Sequence, residues 1–89
     1  MKIKIIHKKL GREQAYGIAE SDGVVYIDQR LKGKKHLEIV IHEVEHLLNP
    51  MDDEETIIEK SVTLCKVLWN LGYRRIDNSN DVPLQDGSK

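Results

Sequence analysis

The sequence is poor in several things that small domains usually lean on. It has one cysteine, two prolines, one tryptophan and no phenylalanine. A single cysteine excludes an intrachain disulfide and any cysteine-rich zinc cluster. Cys65 falls inside an apolar helical pattern, so it reads as a buried structural thiol rather than a nucleophile. Neither sign of charge dominates: 14 Lys and Arg face 15 Asp and Glu, a formal net charge of −1. The basic runs Lys8-Lys9, Lys32-Gly33-Lys34-Lys35 and Arg74-Arg75 are short and scattered. Neither nucleic acid nor an anionic membrane is therefore expected as a partner. Long apolar runs are absent too, and Met1 to Lys8 alternates charged with apolar residues instead of forming a signal-peptide core. A reducing cytoplasm is the expected compartment.

What is present is one chain of 89 residues, enough for a single domain with a modest core. At that size a bound metal would add useful stability. The oligomeric state is not legible. Residues 2 to 6, with β-branched side chains at Ile3, Ile5 and Ile6, predict a strand. A second strand is expected from Gln14 to Glu20. Ser21-Asp22-Gly23 then supplies a turn, and Val24 to Asp28 returns as a third strand.

The loop Lys32 to Lys35 leads into a predicted helix from about His36 to Leu48. Leu37, Ile41, Val44 and Leu48 form its expected sheet-facing stripe. Asn49-Pro50 ends this helix, because proline cannot continue the hydrogen-bond ladder. A second helix should start near Asp52 or Asp53, acids suited to a cap and first turn, and stop at Gly72. Ile57, Ile58, Ser61, Leu64, Cys65, Leu68 and Leu71 form its apolar face. Residues 1–76 make the expected domain, and the polar stretch 77–89 reads as a flexible tail. Within that tail, Asp81 or Asp86 are candidates for an intramolecular ligand of a metal site.

The chemistry concentrates in His42-Glu43-Val44-Glu45-His46. Histidines four apart on a helix project from one side, a turn apart, so both imidazoles can reach one tetrahedral metal. Glu43, next to the first histidine, flanks such a metal, where a carboxylate can take a proton from a water. The expected stripe puts His42 and His46 roughly 140–180° around the helix from the sheet, facing the second helix. His7 and His36 show no partner spacing and read as surface residues.

A catalytic zinc needs a third protein ligand and an open position. With no further histidine after His46, that ligand must be acidic, and the second helix offers Glu54, Glu55 and Glu59. Glu54 falls at the centre of the apolar face, Glu55 about 100° away and Glu59 on the opposite side. A short inter-helix turn brings the first turn of the second helix near His46. Glu54 is the preferred candidate, against the plainer reading of a first-turn acid favoured by the helix dipole.

Val40-Ile41-His42-Glu43-Val44-Glu45-His46-Leu47 resembles the active-site helix of zincin metallopeptidases. Preceded by Gly23 to Asp28 and a loop, it looks like the small ImmA/IrrE-type and minimal-scaffold gluzincins over residues 15 to 72. The longer metzincin motif would need glycine at 49 and histidine at 52, where Asn49 and Asp52 stand. SprT-like proteins use a later histidine that this chain lacks. The resemblance implies an α+β zincin-like domain, with a three-stranded or slightly larger twisted sheet packed on the active-site helix and a second, antiparallel helix after it. It implies one Zn2+ per chain on His42, His46 and an acidic ligand, with Glu43 as general base in hydrolysis of a peptide or protein substrate. It also implies a sheet edge that pairs with extended substrate, for which Val24 to Asp28 is the expected strand. An electrophilic side chain usually assists, and Tyr26 and Tyr73 are candidates that also read well as structural residues. The rival reading is a non-catalytic binding or regulatory module that keeps the zincin-like fold.

Overall fold

A computed structural model describes residues 1–11 and 16–76. The tail with Asp81 and Asp86, and the start of the expected second strand at Gln14, lie outside them. The described chain is a small α+β domain in the order β1 (Lys4–Lys8), β2 (Gly17–Ala19), β3 (Val24–Asp28), α1 (Gly33–Leu48) and α2 (Glu54–Asn70).

Strands β2 and β3 form the expected hairpin, with Ile18 opposite Tyr26. The turn closes through Gly23 N–H donating to the Glu20 carbonyl at 2.9 Å. Gly23 has φ +96°, a conformation that side-chain-bearing residues rarely adopt. β1 pairs with β3 in parallel, Ile6 opposite Tyr26, so the sheet order is β1-β3-β2. This corrects the expectation that Val24 to Asp28 forms a sheet edge. β3 is the central strand; Val25 and Ile27 on one of its faces are fully buried with Leu47 of α1, and Val24 and Tyr26 stand on the other face. β2 takes the edge instead.

The core sits between one sheet face and α1. Val25, Ile27 and Leu47 are buried together, with Ile3, Ile5, Ala19, Leu31, Ile39 and Val40 packed against them. The sheet-facing row of α1 is therefore Ile39, Val40 and Leu47, while Leu48, expected in the core, is 56% exposed. Val40-Ile41 and Leu47-Leu48 are neighbouring pairs of similar hydropathy, so periodicity cannot tell which member faces in. The helix also begins earlier than expected, at Gly33.

α2 buries a narrow stripe of Ile57, Ser61 and Cys65. Ile58, Leu64 and Leu71 were expected on that face but are exposed, because α2 contacts only α1 along one line. Cys65 is buried as expected, and its thiol donates to the Lys34 carbonyl at 3.5 Å. Burial pushes that thiol up from its ordinary range, which keeps it protonated. No helix among the described residues is long and apolar enough to cross a membrane.

Two further contacts fix the frame. The Asp28 carboxylate accepts from the Arg30 backbone N–H at 2.9 Å and from its guanidinium at 2.9 and 2.5 Å. These bonds hold the Asp28 carboxyl well below the usual range and pin the loop leading to α1. His36 is buried, not a surface residue, and its Nε2 lies 2.9 Å from Nε2 of His7 on β1. Parallel pairing of β1 turns His7 toward the same face as Ile5, where α1 begins.

Candidate metal centre

The turn between the helices is short and internally bonded, and this places the first turn of α2 against the last turns of α1. Asn49 N–H donates to the Glu45 carbonyl at 2.8 Å, and its side-chain amide donates to Glu45 Oε1 at 2.7 Å. Asp52 N–H then donates to the Asn49 carbonyl at 3.0 Å. Asp53 caps α2, its Oδ1 accepting from Thr56 N–H at 2.8 Å. With the cap fixed at Asp53, Glu54 is the first helical residue, one turn before the buried Ile57 and on the same side.

The side chains converge there. His42 and His46, a helical turn apart, bring their Nε2 atoms to 3.2 Å with ring planes at 67°. Glu54 Oε2 lies 3.1 Å from His42 Nε2, and Oε1 lies 2.9 Å from His46 Nε2. Ligands about 2.0–2.1 Å from a tetrahedral zinc are separated by about 3.3 Å, a spacing that the two imidazole nitrogens approach, and each of them meets a different oxygen of the Glu54 carboxylate. Neutral imidazole nitrogens and a carboxylate also suit zinc chemically. His42, His46 and Glu54 thus form a group that could hold a metal ion. The His42 side chain is mostly covered, whereas Glu54 is 60% exposed, so the group opens to solvent on the α2 side.

Glu55 and Glu59 are exposed on α2 and lie outside this group. Tyr26 stands on the sheet face opposite Val25 and Ile27, beneath the Lys8 ammonium. Tyr73 is exposed beyond the far end of α2 from Glu54. Neither tyrosine reaches the histidines, so the structure supplies no electrophile from that pair.

Glu43 lies on the other side of the histidine pair, under the sheet edge. Burial raises its carboxyl above the ordinary range; His42 and His46 pull the other way, and Glu54 adds to the rise. Its neighbour across the interface is Gly17 of β2, a residue that carries no motif in the sequence. The one available signal is a glycine inside a strand pattern, which often marks a close approach.

The outer edge of β2 is open among the described residues. Asp28 N–H donates to the Tyr16 carbonyl at 2.9 Å and Glu20 N–H to the Val24 carbonyl at 2.8 Å. Antiparallel pairing alternates, so Tyr16, Ile18 and Glu20 bond inward to β3 while Gly17 and Ala19 turn their peptide groups outward. Beside this edge a hollow of about 410 Å³ opens next to His46, between Ala19, Leu47 and Pro50.

Comparison of the chain with protein families, with curated proteins and with solved structures finds no match.

Proposed function

We propose that the protein is a zinc-dependent peptidase of zincin type, with Zn2+ held by His42, His46 and Glu54 and with Glu43 as general base. The observation that carries this reading is the convergence of His42 Nε2 and His46 Nε2, 3.2 Å apart, on the two oxygens of the Glu54 carboxylate at 3.1 and 2.9 Å, with one open side. Zinc there would supply a Lewis acid for a carbonyl oxygen and would acidify a water molecule.

The remaining work falls to the chain itself. The Glu43 carboxylate sits beside the histidines in a partly desolvated position. From there it takes a proton from the attacking water and delivers it to the departing amine. The outward peptide groups of Gly17 and Ala19 offer an extended peptide the hydrogen bonds of an added strand, in front of Glu43.

Glu43→Gln tests this assignment. The amide keeps the shape but cannot accept the proton, so zinc content and fold persist while cleavage falls by about two to four powers of ten. Undiminished cleavage in this variant would assign the hydrolysis to another group.

A further inference from the structure

Gly17 is a costly choice for its position. A glycine inside a strand contributes no packing and loses more backbone entropy on folding than any other residue. Its φ lies outside the left-handed region, so the backbone would accept alanine without strain. By backbone considerations alone, alanine should stabilise the protein. The reason for glycine lies across the interface. A methyl group built on Gly17 would stand 2.8 Å from Glu43 Cγ, 3.2 Å from Glu43 Oε2 and 3.1 Å from Ile39 Cγ2. The first separation is well inside carbon–carbon contact, so either β2 would lift or the Glu43 side chain would rotate.

We propose that Gly17 is a positioning residue for Glu43: its missing side chain leaves the space in which that carboxylate lies between the edge strand β2 and the histidine pair. The geometry has two sides. Ile39 and Glu43 are one turn apart on α1, and β2 crosses directly over both, with Ala19 packed into the core at its other end. The strand is therefore anchored and has little freedom to rise. Glu43 is held from above by the backbone of Gly17 and from below by its own helix, which restricts the rotamers open to it. A side chain at 17 would push the carboxylate toward solvent and away from the line of the open edge. The same glycine also presents its peptide group outward, so one residue fixes the spacing between the base and an edge-bound chain.

The role for Gly17 in turnover rests on the peptidase reading, but its hold on Glu43 is tested without it. Gly17→Ala, Glu43→Ala and the double variant are prepared as full chains and their thermal unfolding is compared in chelator. If Gly17 acts through Glu43, the two changes are coupled. Gly17→Ala then lowers the melting temperature in the parent chain by several degrees more than it does in the Glu43→Ala background, where only the milder Ile39 contact remains. Equal shifts in the two backgrounds would overturn the proposal, because the cost would then belong to the strand itself. A second arm uses the zinc-loaded chain and a peptide substrate. Gly17→Ala should keep a full equivalent of zinc yet lose on the order of a hundredfold in kcat, the scale of an ångström misplacement of a catalytic group. An unchanged kcat would overturn the positioning role. A parent chain that loads zinc but cleaves nothing would refute the peptidase reading, while the melting comparison would still decide whether Gly17 holds Glu43.

Discussion

Glu54 Oε1 lies 2.9 Å from Nε2 of His46, across a five-residue turn that joins two antiparallel helices. The contact unites a recognisable histidine motif with an acid that no motif marks. It follows from local rules: Asp53 caps α2, so Glu54 is the first helical residue and shares a side with Ile57. From this relationship we expect Glu54→Ala to weaken zinc binding by about a hundredfold or more, since loss of even an outer-sphere partner costs 10–100-fold. Glu59→Ala, on the exposed side of α2, should leave the affinity unchanged. Competition titration against a chromophoric chelator measures both, and equal losses would mean that Glu54 is not a ligand.

Ile57 anchors the helix that carries Glu54, and its side chain is fully buried. Ile57→Ala should destabilise the chain by about 2–5 kcal/mol through lost contacts and a residual cavity. For a domain of this size that lowers the melting temperature by roughly 8 °C or more. A shift within about 2 °C in chelator would mean that Ile57 does not anchor α2 against α1.

The His7–His36 pair predicts an acid dependence. Burial chiefly, and then the nearby Arg75 charge, lowers both imidazoles from their ordinary value of 6.5; at His36 the charge of His7 adds to this. Well above pH 6.5 both rings are neutral in the folded and unfolded chains, so neither alters stability. As the pH falls below that value the unfolded chain takes up protons that the folded chain resists, and stability is lost. His7→Gln should flatten the fall in melting temperature between pH 7 and 5 relative to the parent chain. Parallel profiles for the two proteins would show that the pair carries none of the dependence.

Much of this architecture is legible from particular residues. Asn49-Pro50 and Gly72 punctuate the helices, the Asp22-Gly23 turn closes the hairpin, and the phase of α2 singles out Glu54 from Glu55 and Glu59. What escapes a local reading depends on partners distant in sequence. Whether β3 is an edge or a centre is decided by the parallel pairing of β1, which no local pattern encodes. The same pairing buries His36 by setting His7 against it. Gly17 matters only because β2 crosses Glu43, which lies 26 positions further along the chain. The orientation of α1 differs from the expected one because adjacent apolar pairs such as Leu47-Leu48 carry no phase information, although the histidines meet Glu54 all the same.

The metal itself is the most direct test. Protein purified without chelator or a metal-affinity tag should carry one equivalent of zinc by elemental analysis. His42→Ala and His46→Ala should each carry essentially none and melt at a lower temperature, because metal-binding energy is also folding energy. A full equivalent of zinc in both variants, or a folded parent chain that takes up no zinc when it is supplied, would contradict the site.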